Sequence, residues 1–150
     1  MFKVLIADDH GLFRDGLRLL LEKQADIRVV AETKDGSTTI AAGIELRPDI
    51  VLMDISMPGL NGMEATRKLL AANDSIKIIM LSMHSDHHFV IESLKSGAVG
   101  YVLKDSAFEE LLTAIRTAWV FSLAGQAHSH RPPPLQSPGA TWYFDCGPGR

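Results

Sequence analysis

Three carboxylates in this chain sit where charge is hard to justify without a ligand. Asp8 and Asp9 follow the apolar run Val4-Leu5-Ile6-Ala7, and Asp54 follows Val51-Leu52-Met53. Each acidic site ends a strand-like stretch and precedes a helix-like one. In a parallel sheet those ends share one edge, where ligands bind. Gathered there, the acids repel one another: at about 4 Å each like pair costs roughly 4 kcal/mol at an effective dielectric near 20. Such a cluster calls for a cation, and all-oxygen donors select a hard one such as Mg2+. Ser82 and Lys104 follow two further strand-like runs. Acids to hold the metal, with a hydroxyl and an ammonium to hold phosphate oxygens, suit a phosphoryl group.

The elements that must position these groups alternate strand and helix five times. Strand-like runs cover residues 3–7, 27–33, 49–53, 76–81 and 99–103. Most are short and continuously apolar, as parallel strands covered on both faces are. Helical stripes lie between them: Phe13, Leu17, Leu20 and Leu21; Val90, Ile91 and Leu94; Phe108, Leu111, Leu112, Ile115 and Trp119. Residues 36–46 make the weakest helix, because Gly43 costs about 1 kcal/mol against Ala in a helix interior. Pro48 and Asp49 stop it. The alternation predicts an α/β domain, a five-stranded doubly wound parallel sheet of order 2-1-3-4-5. Strands one and three are then neighbours about 4.8 Å apart, so Asp8, Asp9 and Asp54 can share one metal. Lys104 lies two strands, or about 10 Å, from Asp54, a gap only a long side chain spans.

Bulk properties narrow the field. A chain of 150 residues that is 46% hydrophobic supports one domain with a sizeable core. A net charge of −3 gives no electrostatic reason to expect nucleic-acid binding. Cys146 is the sole cysteine, which fits a reducing, cytoplasmic setting. No run is long enough for a signal peptide's apolar segment or a membrane span. Composition changes near Trp119. Residues 119–150 carry one acid, Asp145, two bases, Arg131 and Arg150, and five of the seven prolines. Pro132-Pro133-Pro134 forbids a helix. The sequence therefore divides into a domain over residues 1–121 and a Pro-rich tail over 122–150, outside the fold.

Five motifs in order resemble the receiver domain of two-component response regulators. They are Asp8-Asp9; Asp54 with Met57-Pro58-Gly59 and Asn61-Gly62; Ser82; and Gly100-Tyr101-Val102-Leu103-Lys104. Ala7-Asp8-Asp9-His10 and Lys104-Asp105 resemble the NarL/FixJ, or LuxR-type, class. The resemblance implies a flavodoxin-like receiver fold and a phosphorelay role. Asp54 would accept a phosphoryl group from a phosphohistidine of a sensor histidine kinase. Asp9, Asp54 and the Ser56 carbonyl would ligate Mg2+, with Asp8 acting largely through water. Ser82, Met83 and Lys104 would hold phosphate oxygens. Ser82 and Tyr101 would form the switch that reshapes the face partners read. Asp105 stands where many receivers have proline, so no cis bond is expected there. The class usually continues into a helix-turn-helix output domain, and residues 119–150 show none. Without it, the resemblance implies action through protein contacts: kinase docking, homodimerisation through a face of the first, fourth or fifth helix, and no direct DNA binding.

Other functions fit less well. A haloacid-dehalogenase-type phosphatase shares the nucleophilic aspartate. It would want a second Asp two residues on, where this chain has Ser56. His84, His87 and His88 read as a solvated loop and helix start rather than a metal site. Met53, Met57, Met63, Met80 and Met83 read as gap-fillers around the site strands.

Overall fold

Each strand-like run becomes a strand in the computed structural model, which describes residues 1–84, 86–124 and 142–144. The strands are β1 (Phe2–Ala7), β2 (Ile27–Thr33), β3 (Ile50–Asp54), β4 (Lys77–Ser82) and β5 (Gly100–Leu103). Helices α1 (Gly11–Glu22), α2 (Gly36–Leu46), α3 (Gly62–Ala72), α4 (His87–Lys95) and α5 (Phe108–Ala124) follow them in turn. The five strands pair in parallel in the order 2-1-3-4-5. This is the flavodoxin-like receiver fold.

Strand period decides which residues meet which helices. Val4, Ile6, Ile50, Leu52, Ile79, Leu81 and Val102 face α1 and α5 in one core. Leu5, Ala7, Val51, Met53, Ile78, Met80 and Tyr101 face the other core with residues of α2, α3 and α4. Two apolar layers on one sheet explain why the strands read as unbroken apolar runs. Local signals set the helix starts. Asp35 accepts from Thr38 N at 2.8 Å, Asn61 from Glu64 N at 2.9 Å and Asp86 from His88 N at 2.8 Å.

The weak helix forms over residues 36–46 as expected, and Gly43 has a packing reason. A Cβ there would lie 2.6 Å from Leu69 Cδ1 of α3. Gly62 is tighter still. A Cβ there would meet the Asp54 carbonyl oxygen at 2.3 Å, so the chain after β3 can fold back against the site strand only through glycine. Gly62→Ala should cost more than about 2 kcal/mol, because backbone rather than a flexible side chain blocks it. A fall in the urea midpoint measures this; an unchanged midpoint would refute it.

Three expectations need correction. Leu20 and Ile91 belong to apolar helical stripes, yet they are 41% and 47% exposed. Each buried stripe is narrower than its apolar residues suggest; Leu17 and Leu21, and Val90, fill the buried positions. The last helix passes the expected boundary at residue 121 and ends at Ala124, its Trp119 ring stacked on Phe2 at 4.9 Å. Residues Trp142–Phe144 form β6, antiparallel to β5, with Tyr143 opposite Tyr101. No sequence pattern marks this strand, because the segment is three residues long and far from β5 in the chain. The expectation for the proline run falls outside the described residues. No peptide bond among the described residues is cis, Lys104-Asp105 included.

Candidate functional site

The site is assembled by three strand ends on one side of the sheet. Asp54 is the last residue of β3, and Asp8 and Lys104 are the first residues beyond β1 and β5. By strand parity all three share the α1/α5 face with Ile6, Leu52 and Val102. Both carboxylates are buried. The Lys104 ammonium lies 2.8 Å from Asp8 Oδ2 and 3.1 Å from Asp54 Oδ2. It also sits 5.0 Å over the Phe13 ring of α1, which holds its stem. The long reach from β5 to β3 is thus made.

Charge balance in the pocket is incomplete. One ammonium faces two buried acids, while a third acid, Asp9, stands at the rim beside His10. Asp8 Oδ2 and Asp54 Oδ2 receive no hydrogen bond of good geometry, so Lys104 holds them by charge. Burial and the neighbouring Asp8 push the Asp54 carboxyl up to about 6; Lys104 and the Ser56 N–H oppose that rise. That N–H donates to Asp54 Oδ1 at 3.2 Å. An electron-rich, underdonated pocket fits a hard cation. Asp8, Asp9, His10 and Asp54 each offer a donor atom, all within 4.8 Å of one another.

Ser82 ends β4 on the opposite parity, facing the core that holds Tyr101. Its Oγ accepts the His84 N–H at 2.9 Å, and the Tyr101 hydroxyl donates to the His84 carbonyl. Ser82 and the buried Tyr101 therefore grip the same residue's backbone from its two ends. Met83, between Ser82 and His84, is 68% exposed. His84 stacks on Phe89 at 4.8 Å, and neither it, His87 nor His88 joins the donor cluster.

Two residues of the site are given no site role by the sequence reading, which names His10 only within a class motif. His10 caps α1 and turns Nδ1 into the acid cluster, 3.0 Å from Asp8 Oδ1. Arg14, one turn on, donates to the Asp8 carbonyl at 2.6 Å and pairs with Glu32 at 3.5 Å. Adjacency to Asp9 signals His10, and i+4 spacing from His10 signals Arg14.

A doubly wound α/β domain with buried acids, a reaching lysine and a hydroxyl at one sheet edge has the make-up of a receiver-type module. The chain belongs to the response regulator receiver domain family, whose model matches residues 4–116. It is 40% identical over 114 residues to the transcriptional regulatory protein DegU of Brevibacillus brevis, covering 76% of this chain and 48% of that one. It is 42% identical over 118 residues to the oxygen regulatory protein NreC of Staphylococcus epidermidis, covering 78% and 54%. A LuxR-family two-component response regulator from Aurantimonas sp. SI85-9A1 superposes with a TM-score of 0.77 at 35% identity, covering 80% and 86%. The chain thus spans about half the length of the curated relatives it matches. No helix among the described residues is long and apolar enough to cross a membrane.

Proposed function

We propose that this chain is a cytoplasmic phosphoacceptor module of a two-component phosphorelay, with Asp54 as the residue phosphorylated by a sensor histidine kinase. The observation that carries this is Lys104 bridging Asp8 and Asp54 beside a cluster of hard donors. An Asp54 oxygen attacks the phosphorus of the kinase phosphohistidine, the P–N bond breaks, and an acyl phosphate remains on Asp54. Mg2+, held by Asp8, Asp9, Asp54 and the Ser56 carbonyl, supplies charge neutralisation when bound. Lys104 then exchanges a carboxylate partner for a phosphoryl oxygen, and Met83 and Ser82 complete the phosphate's donors.

The switch follows from the shared hold on His84. When Ser82 turns toward the phosphoryl group it releases the His84 N–H. The carbonyl of the same residue carries Tyr101, so the change passes to the β5 side chain and to the α4 face. Partners read that face. Exposed Leu12, at 90%, and Ile91 offer apolar contacts for a second copy through α1 or α4. Direct DNA binding is not part of this function. A chain ending at Ala124 loses the three paired residues of β6 and should melt within a few degrees of the full chain.

Chemistry of this kind is self-modification, so the chain is not an enzyme acting on a second substrate. The family match lends no support to a haloacid-dehalogenase-type phosphatase. Incubation with a small acyl-phosphate donor and Mg2+ should add about 80 Da, one PO3 unit, to the intact mass. Chelation with EDTA should abolish the adduct, because the acids would otherwise repel the incoming phosphoryl oxygens. Full labelling in EDTA would sink the metal's role; steady release of phosphate from an unrelated phosphate ester would favour the phosphatase.

A further inference from the structure

Arg14 reaches from α1 to the backbone of the acid site, yet phosphoryl transfer to Asp54 gives it no task. Its Nη1 donates to the Asp8 carbonyl at 2.6 Å. Its Nε faces Glu32 Oε1 at 3.5 Å, with the two side chains only 19% and 17% exposed. Glu32 is held in turn, because its Oε2 accepts from Arg18 at 2.6 Å. The Asp8 N–H donates to the Thr33 carbonyl at 2.9 Å. The end of β2 therefore fixes Asp8 from both sides, once by backbone pairing and once through the Glu32–Arg14 pair. The Asp8 carbonyl and the Asp9 N–H belong to one planar peptide unit. Holding its oxygen sets that plane, and with it the direction in which Asp9 leaves the chain. Asp9 is the least buried of the three acids, 32% exposed against 0% for Asp8 and 3% for Asp54. Packing fixes the other two, so the aim of Asp9 depends most on its backbone.

We infer that Arg14 is a positioning residue: through the Asp8 carbonyl it aims Asp9, and so sets the affinity for Mg2+ rather than the speed of phosphoryl transfer. The inference rests on the proposal that Asp9 helps to hold Mg2+. Transfer itself falls to Asp54 and Lys104, which are placed by the ends of β3 and β5. A guanidinium suits the task because its donors stand in a fixed fork, here one nitrogen to a carbonyl and another toward a carboxylate.

Calorimetric Mg2+ titration of the full chain at one fixed pH tests it, beside uptake rates from a small acyl-phosphate donor. Arg14→Met should weaken Mg2+ by about tenfold, as loss of a contact that orients a metal ligand does. Its uptake should slow at limiting Mg2+ and return to within about twofold of the unmodified rate at saturation. In metal-free protein its Asp9 amide resonance should shift and exchange its hydrogen faster. Arg18→Met removes a like charge from the same helix and the same glutamate, but not the donor to Asp8. It should leave Mg2+ affinity within about twofold. Glu32→Gln, a milder change, should weaken Mg2+ in the same direction, and little further in the Arg14→Met background. Unchanged Mg2+ affinity in Arg14→Met overturns the inference and leaves the Mg2+ proposal standing. So does an equal loss in Arg18→Met, which would mark an effect of charge alone. A rate that stays low at saturating Mg2+ would give Arg14 a general structural part and overturn the inference as well. Should Arg14→Met not fold, unchanged affinity in Glu32→Gln overturns it instead. If the unmodified chain binds no Mg2+, or labels fully in EDTA, the Mg2+ proposal and the inference fall together.

Discussion

Asp54→Asn should reduce phosphoryl uptake from a small acyl-phosphate donor by at least about a hundredfold, or about 2.7 kcal/mol of barrier. The change keeps the side chain's size and removes the anionic nucleophile. No neighbour can take over cheaply. Asp8 is fully buried and held by Lys104 at 2.8 Å and by the His10 N–H at 2.8 Å. Asp9 stands at the rim without the lysine. The nucleophile must also be ionised. With the Asp54 carboxyl pushed up to about 6, uptake at limiting Mg2+ should fall as pH drops through about that value. Bound cation favours the carboxylate and should move the fall to lower pH. Intact-mass time courses across pH, at limiting and at saturating Mg2+, measure both effects. A variant that labels at the unmodified rate would remove Asp54 as the acceptor.

The site was legible in sequence because its groups stand where strands end. Asp54 and Ser82 close β3 and β4, and Asp8 and Lys104 follow β1 and β5, so apolar runs pointed directly at them. Their side of the sheet follows from parity within each strand. What the runs could not show is contact that crosses elements. The shared grip of Ser82 and Tyr101 on His84 depends on the path of the β4–α4 loop. His10 reads as an ordinary helix-start residue until α1 is seen to turn it over the acids. Gly43 looks like a defect in a helix and is the point where α2 meets Leu69. β6 is invisible for another reason: its three residues pair through backbone, and backbone pairing leaves little mark on so short a sequence. Leu20 and Ile91 mark the reverse limit, since apolar type at helical spacing does not by itself ensure burial.

The acids that make the site also load the fold, and two substitutions should move stability in opposite directions. The folded-state pKa of Asp54, about 6, lies above its ordinary 3.8. A raised acid pKa means the fold favours the protonated form. Its contribution is fully present below about 3.8 and is lost as pH rises through about 6. Near neutral pH the ionised group therefore opposes folding. Asp54→Asn relieves that load and leaves Lys104 paired with Asp8, so it should stabilise metal-free protein by about 1–3 kcal/mol near pH 7. Near pH 4 the gain should shrink toward zero. Lys104→Met does the reverse. It keeps the apolar stem over Phe13 but strips two buried carboxylates of their shared cation. Breaking a buried pair in this way should cost about 2–4 kcal/mol near pH 7. Acid should restore part of it, as the carboxylates take up protons. Urea unfolding of both variants in chelator, at the two pH values, decides the matter. If Asp54→Asn destabilises near pH 7 while Lys104→Met is neutral, burial and like charge do not govern this pocket, and the electrostatic account of the site is wrong.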